Sequence, residues 1–122
     1  MWAVAVTPDG RQIVTGGEDG TARPWDRTSG QLQTTLTGHA GWVTAVAVTP
    51  DGRQIVTGGE DGTARLWDRT SGQLQTTLTG HTGRVWAVAV TPDGGEVVSV
   101  GNDGAIRVWN RRSGRQVRGT GS

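Results

Sequence analysis

A 42-residue period constrains this chain more than any other feature. Thr7, Thr49 and Thr91 stand 42 residues apart, and each opens a TPDG segment. Residues 16–26 read GGEDGTARPWD, residues 58–68 read GGEDGTARLWD, and residues 100–110 carry a divergent third copy, VGNDGAIRVWN. Self-similarity at this period marks a repeat architecture, in which each unit buries its apolar faces only by stacking on its neighbours.

Within one unit the pattern is four short apolar or β-branched runs. In the middle unit these are VTAVAVT from Val43, QIVTG from Gln54, TARLWD from Thr63 and LQTTLT from Leu74. The breaks between them, PDGR, GEDG and RTSG, combine glycine with Asp, Pro or Ser, which supply positive φ or side-chain turns at low cost. No helical period is sustained, so the unit reads as a meander of four antiparallel strands. The AVAV run is apolar on both faces, which predicts an innermost strand buried on both. Such a small sheet cannot stand alone, because its apolar faces need sheets on either side.

These residues carry a family resemblance. LTGH from Leu36 and again from Leu78, GGEDGT, and LWD from Leu66 resemble a WD-repeat unit, over essentially the whole chain. The resemblance implies an all-β fold of three β-propeller blades, each a four-stranded antiparallel sheet, in a ring that stays incomplete unless the chain oligomerises. The expected division is blade one at 1–40, blade two at 41–82 and blade three at 83–119, with a short tail at 120–122. A buried hydrogen-bond network is implied as well, linking His39, Thr57, Asp61 and Trp67 in the middle blade and His81, Ser99, Asp103 and Trp109 in the third. Blade one retains Thr15, Asp19 and Trp25 without a histidine. Two departures predict weakness: Pro24 in an inner strand removes a ladder donor, and RQVRGTGS from Arg115 replaces the apolar outer strand of the other units.

Composition narrows the function classes. With 122 residues the chain fits one modest domain, and with no cysteine it has no disulfide framework, thiolate metal cluster or thiol nucleophile. Twelve basic residues, all arginine, against eleven acidic ones give a formal charge of +1, too small for a long-range field toward nucleic acid or an anionic membrane. No apolar run approaches a membrane span, and MWAVAVTPDG lacks the plan of a signal peptide, so a cytoplasmic location is expected with no membrane partner. Met1 occupies the position of Val43 and Val85, which suggests a piece of a longer WD-repeat protein. The rival reading is a designed or evolved self-assembling fragment that closes a ring as a homo-oligomer, two copies giving six blades or three giving nine.

For function, the resemblance implies a non-catalytic scaffold whose rim loops meet proteins or peptides. The expected rim contacts are Trp2, Trp42, Thr44, Arg84 and Trp86 beside the innermost strands, and Glu18, Glu60 and Asn102 before the turn aspartates; Trp and Arg are favoured anchors. His81, Ser99 and Asp103 resemble a nucleophilic triad, but a constellation that recurs in successive units reads as a structural clamp. No enzyme activity, metal or cofactor is expected: two histidines a whole unit apart form no local chelate, GEDG lacks a calcium-loop ligand series, and no helix follows TGGEDG to hold phosphate. Nucleic-acid binding through Arg111, Arg112, Arg115 and Arg118 is disfavoured, since the segment has no stacking aromatics.

Overall fold

Alternating short apolar runs and glycine turns fold into twelve strands and no helix among the described residues, 3–120, of the computed structural model. Sheet one holds β1 (Ala3–Val6), β2 (Gln12–Gly16), β3 (Thr21–Asp26) and β4 (Leu36–Thr37). Sheet two holds β5 (Val43–Val48), β6 (Gln54–Gly59), β7 (Thr63–Asp68) and β8 (Leu74–Thr79), and sheet three holds β9 (Val85–Val90), β10 (Glu96–Gly101), β11 (Ile106–Asn110) and β12 (Gln116–Thr120). Each is an antiparallel meander with its strands in sequence order. The turn between β6 and β7 shows why glycine recurs: Gly62 sits at φ 82, and a Cβ there would meet the His81 carbonyl at 2.9 Å.

The first strand of each unit lies innermost, β1 against β5 and β5 against β9. Two apolar clusters fill the spaces between sheets. Val14, Ala22 and Leu36 of sheet one meet Ile55 and Trp67 of sheet two, with Val46 and Val48 alongside. On its other face sheet two presents Val56, Ala64, Leu66 and Leu78 to Val97 and Trp109 of sheet three. Close approach depends on a glycine at each boundary, since a Cβ on Gly16 would lie 2.6 Å from Val43 Cγ1 and one on Gly58 2.7 Å from Val85 Cγ1.

One expectation needs correction. AVAV is covered on both faces only in β5, where Val46 and Val48 turn toward sheet one and Ala47 toward sheet three. In β1, Val4 and Val6 are 57% and 55% exposed, and in β9 Ala87 and Ala89 are exposed, because each outer sheet has a neighbour on one face only. Sheet three has the four strands expected of it: β12 pairs with β11 despite its polar sequence, since ladder bonds are made by backbone.

The shortened outer strand is instead in sheet one, and Pro24 accounts for it. The β2–β3 ladder is complete, with Val14 opposite Pro24. The Pro24 carbonyl accepts from the Gln33 N–H at 2.9 Å, so the hydrogen-bonding edge of this residue faces the outer segment, and the missing donor is missing there. Consequently β4 pairs with β3 only at Thr21↔Thr37 and Ala22↔Leu36, whereas β8 pairs with β7 from Thr63↔Thr79 to Trp67↔Leu74. Replacing Pro24 with Leu, the residue at the matching position 66, is expected to extend β4 and raise the unfolding free energy by about 1 kcal/mol. Urea denaturation checks this; an unchanged midpoint would contradict the role given to the missing donor.

Candidate functional site

Successive turns fall at opposite ends of the sheets, and each end carries its own polar cluster. At the end formed by the GEDG turns, the β4–β5 connection delivers His39 beneath Asp61 of the β6–β7 turn. Asp61 takes both carboxylate oxygens to 3.1 Å from His39 Nδ1, and His39 Nε2 lies 2.7 Å from Thr57 Oγ1 on β6. Trp67 Nε1 on β7 donates to that same hydroxyl at 2.8 Å. The partners fix the protons: Nδ1–H faces the carboxylate, Nε2 accepts from the Thr57 hydroxyl, and the hydroxyl oxygen accepts from the indole. Every group is satisfied only when the imidazole is neutral.

Burial pushes the His39 imidazole below its ordinary 6.5, and the charge of Asp61 offsets this only in part. Burial acts in the opposite direction on Asp61, yet hydrogen bonds from Thr63 and the Ala40 backbone help to hold its carboxyl below the usual carboxylate value. Sheet three repeats the arrangement: His81 Nδ1 lies 3.1 Å from Asp103 Oδ1, Nε2 lies 2.8 Å from Ser99 Oγ, and Trp109 Nε1 donates to Ser99 at 2.9 Å. Backbone N–H groups of Ala105 and Thr82 lead in lowering Asp103 to about 2. Ser99 is fully buried, and its oxygen accepts from the indole.

Sheet one shows what happens without the histidine. Trp25 Nε1 still donates to Thr15 at 2.9 Å, but the Thr15 hydroxyl turns to the Arg23 carbonyl. Asp19 pairs with Arg23 at 2.8 Å and stays half-exposed, and the Thr21 hydroxyl followed by Arg23 lowers its carboxyl to about 2.

The opposite end carries a device that sequence reasoning missed. Arg69, just after β7, crosses to sheet one, where Nη2 lies 3.0 Å from Asp9 Oδ2 and Nε donates to Gln12 Oε1 at 2.7 Å, while Nη1 holds the Gly52 carbonyl of its own sheet at 3.2 Å. Arg111 repeats this onto Asp51 at 2.9 Å, Gln54 at 2.6 Å and Gly94 at 3.0 Å. The Thr7 hydroxyl, with the Arg11 backbone and Arg69, holds the Asp9 carboxyl well below the usual range. The signal was present as an Asp in every TPDG and an Arg after the third strand of every unit, but the partners are 60 residues apart. These contacts also occupy Arg111, and Arg118 pairs with Glu96 at 2.7 Å, so two of the four terminal arginines are held in ion pairs while Arg112 and Arg115 are exposed.

Of the expected rim residues, Trp2 lies outside the described residues. Glu60 accepts from the Trp42 backbone N–H at 3.0 Å and pairs with Arg84 of the next connection at 3.2 Å. The Arg84 guanidinium stacks 5.1 Å from the ring centroid of Trp86, whose indole N–H donates to Asn102 at 3.1 Å. Trp86 is nonetheless 51% exposed and presents a large apolar face at this end. Glu18 is exposed, and at the repeat position of Arg84 in the connection that follows stands Trp42. Thr44 is placed differently from expectation: half-buried, its hydroxyl bonds the carbonyls of Gly58 and Val85 and so bridges sheets two and three rather than facing solvent. Among the described residues no group of three or more His, Cys, Asp or Glu side chains is placed to hold a metal ion.

Comparison with known proteins fits this geometry. The family model for the WD domain, G-beta repeat, matches residues 1–26, 30–68 and 72–110. Periodic tryptophan protein 2 homolog of Dictyostelium discoideum is 53% identical over 45 residues, which are 37% of this chain and 5% of that protein. Human WD repeat-containing protein 86 is 46% identical over 41 residues, 34% of this chain and 11% of that protein. The chain thus spans a small fraction of the length of these relatives. The solved structures of U3-55K and of the RRP9 WD40 repeats superpose on 99% of this chain with a TM-score of 0.94 at 24% and 25% identity, and the chain covers 39% and 38% of them.

Two measurements probe the histidine clamp. A Cβ on Gly59 would lie 2.5 Å from His39 Nδ1, so Gly59→Ala is expected to cost roughly 1–3 kcal/mol. Gly17→Ala, the matching change in the sheet without a histidine, is expected to cost well under that in the same denaturation assay. The second is pH. Because the folded imidazole of His39 titrates below 6.5, the unfolded chain binds the proton more readily, so stability rises with pH through that window and falls as pH drops below about 6.5. Melting temperature is expected to fall between about pH 7.5 and about pH 5.5, with a shallower slope in His39→Gln; equal slopes would contradict the neutral clamp.

Proposed function

The chain belongs to the WD40 repeat family, and on that premise we propose that it is a docking platform for proteins or peptides with no chemistry of its own. Domains of this family generally mediate protein–protein interactions on a fold that is generally a non-catalytic scaffold. The observation that carries the reading is the rim cluster of Glu60, Arg84, Trp86 and Asn102. Trp86 offers a large exposed face, Arg84 stacks on it with a guanidinium able to fork to a carboxylate, and Glu60 holds both the Arg84 charge and the Trp42 backbone in place. An exposed indole beside a pre-oriented arginine suits an extended segment carrying an apolar residue and an acidic one.

The proposal extends to setting. Further blades would cover the outer faces of sheets one and three, either from the same polypeptide or from identical chains, two giving six blades or three giving nine. A cytoplasmic location belongs to the proposal and rests on sequence alone.

Peptides selected from a random library on the folded chain provide the test. Their affinity is expected to fall roughly tenfold or more in Trp86→Ala, with a smaller loss in Arg84→Ala and melting temperatures unchanged. Selected peptides whose binding ignores both substitutions would refute this rim as the docking site.

A further inference from the structure

At the end of the sheets opposite the rim, each internal boundary opens into a polar groove. The groove between sheets two and three has a volume of about 570 Å³ and is lined by Arg53 and Gln54, by Gln75 and Thr76 of β8, and by Arg111 and Arg112 after β11. Its lining comes wholly from sheets two and three and their turns, so the site needs no further blade to complete it. Most of its polar groups are already committed. Arg111 Nη2 holds Asp51 at 2.9 Å, Arg111 Nε donates to Gln54 Oε1 at 2.6 Å, and Gln54 Nε2 donates in turn to Gln75 Oε1 at 2.6 Å. Asp51 also accepts from the Thr49 hydroxyl and the Arg53 backbone N–H. The guanidiniums of Arg53 and Arg112 are different: both side chains are exposed, and among the described residues neither has a hydrogen-bond or ion-pair partner.

The boundary between sheets one and two repeats the groove, at about 400 Å³, with Arg11, Gln12, Gln33 and Arg69 at the matching positions. Arg69 is spent on Asp9 and Gln12 as Arg111 is on Asp51 and Gln54. The change that matters is Thr70, which stands where Arg112 does in the next unit. The first groove therefore offers one uncommitted guanidinium and the second offers two.

We propose that the groove between sheets two and three binds a phosphomonoester dianion, clasped between Arg53 and Arg112. Two planar guanidiniums, each able to give a pair of parallel N–H bonds, match an anion with three terminal oxygens and nearly two negative charges, whereas a carboxylate is satisfied by one of them. Asp68, held by the Thr70 and Ser71 backbone N–H groups rather than by an arginine, keeps its negative charge at the same groove. It repels an extended polyanion and so restricts the site to one compact anionic group. Gln75 and Thr76 line the approach with uncharged hydrogen-bonding groups that suit whatever carries the phosphate. A free phosphate and a phosphorylated side chain of a peptide both present this chemistry. The site is separate from Trp86 and Arg84, which stand at the other end of the sheets.

Isothermal titration calorimetry of the full chain, with inorganic phosphate and with a capped tripeptide centred on phosphoserine, tests the proposal. One site per chain is expected. Arg53→Gln and Arg112→Thr, the latter installing the residue of the first groove, are each expected to weaken binding roughly tenfold or more, and Arg11→Gln is expected to leave it unchanged. Thr70→Arg is expected to create a second site beside Arg11 and raise the stoichiometry from one to two, a gain that no loss of fold can imitate. Tighter binding of the tripeptide than of inorganic phosphate would support a peptide-borne group, and equal binding a free one. Absence of binding by both probes, or binding indifferent to Arg53→Gln and Arg112→Thr alike, would overturn the site and leave the rim proposal standing on its own peptide assay.

Discussion

Neighbouring sheets share a core here because a glycine faces a valine across each boundary. Val43 sits against Gly16 and Val85 against Gly58, at separations that leave no room for a Cβ on the glycine. With the backbones that close, Trp67, Ile55 and Leu36 at one boundary and Leu66, Leu78 and Val97 at the other lose all or nearly all contact with water. Each such side chain contributes on the order of 1.5–3 kcal/mol when fully buried. No single sheet can reach that state alone, so stability resides in the boundaries and the repeat is the unit of recurrence, not of folding.

Polar groups pin each boundary at both ends. At one end the connection leaving sheet one carries His39 into the turn of sheet two, so the Asp61–His39–Thr57–Trp67 chain ties the exit of one blade to the interior of the next. Its proton inventory closes with a neutral imidazole, because an imidazolium at this depth would leave the hydroxyl hydrogen of the threonine without its acceptor. At the other end Arg69 and Arg111 span the boundary through charge-assisted bonds to residues of the preceding sheet. Such an ion pair near the surface is worth little alone; with the glutamine and carbonyl contacts of the same guanidinium it fixes the relative position of two sheets.

What the sequence revealed divides by the distance over which residues must cooperate. Strands and turns were legible because alternation and glycine placement are local, and the histidine chain was legible through motif residues that recur in fixed order. The Arg69–Asp9 latch was not, because neither residue looks unusual within its own unit and the pairing exists only once two units are set side by side. Thr44 fails for a related reason: at a position held by tryptophan in the third unit it reads as a rim residue, yet its hydroxyl is spent on carbonyls of two sheets. Pro24 could be read as a lost ladder bond, but which ladder lost it depends on the edge its carbonyl faces. Burial of AVAV on both faces was inferred from a pattern that is the same in all three units, and the difference between β5 and its counterparts comes from position in the stack.

The same boundaries that hold the fold also position the rim. Glu60 belongs to the turn of sheet two, yet its carboxylate fixes Arg84 at the entry to sheet three, and through Arg84 the orientation of Trp86. A partner that meets Trp86 and Arg84 therefore reads the relation between two blades rather than a loop on one of them. At the first blade the matching glutamate is Glu18 and the position of Arg84 is held by Trp42, so the rim is chemically different at each boundary even where the strands beneath it are nearly identical. Repetition supplies a frame of constant geometry, and substitutions at positions 42, 84 and 102, which that frame tolerates because they lie outside the clamp and the core, are where specificity can enter without cost to the fold.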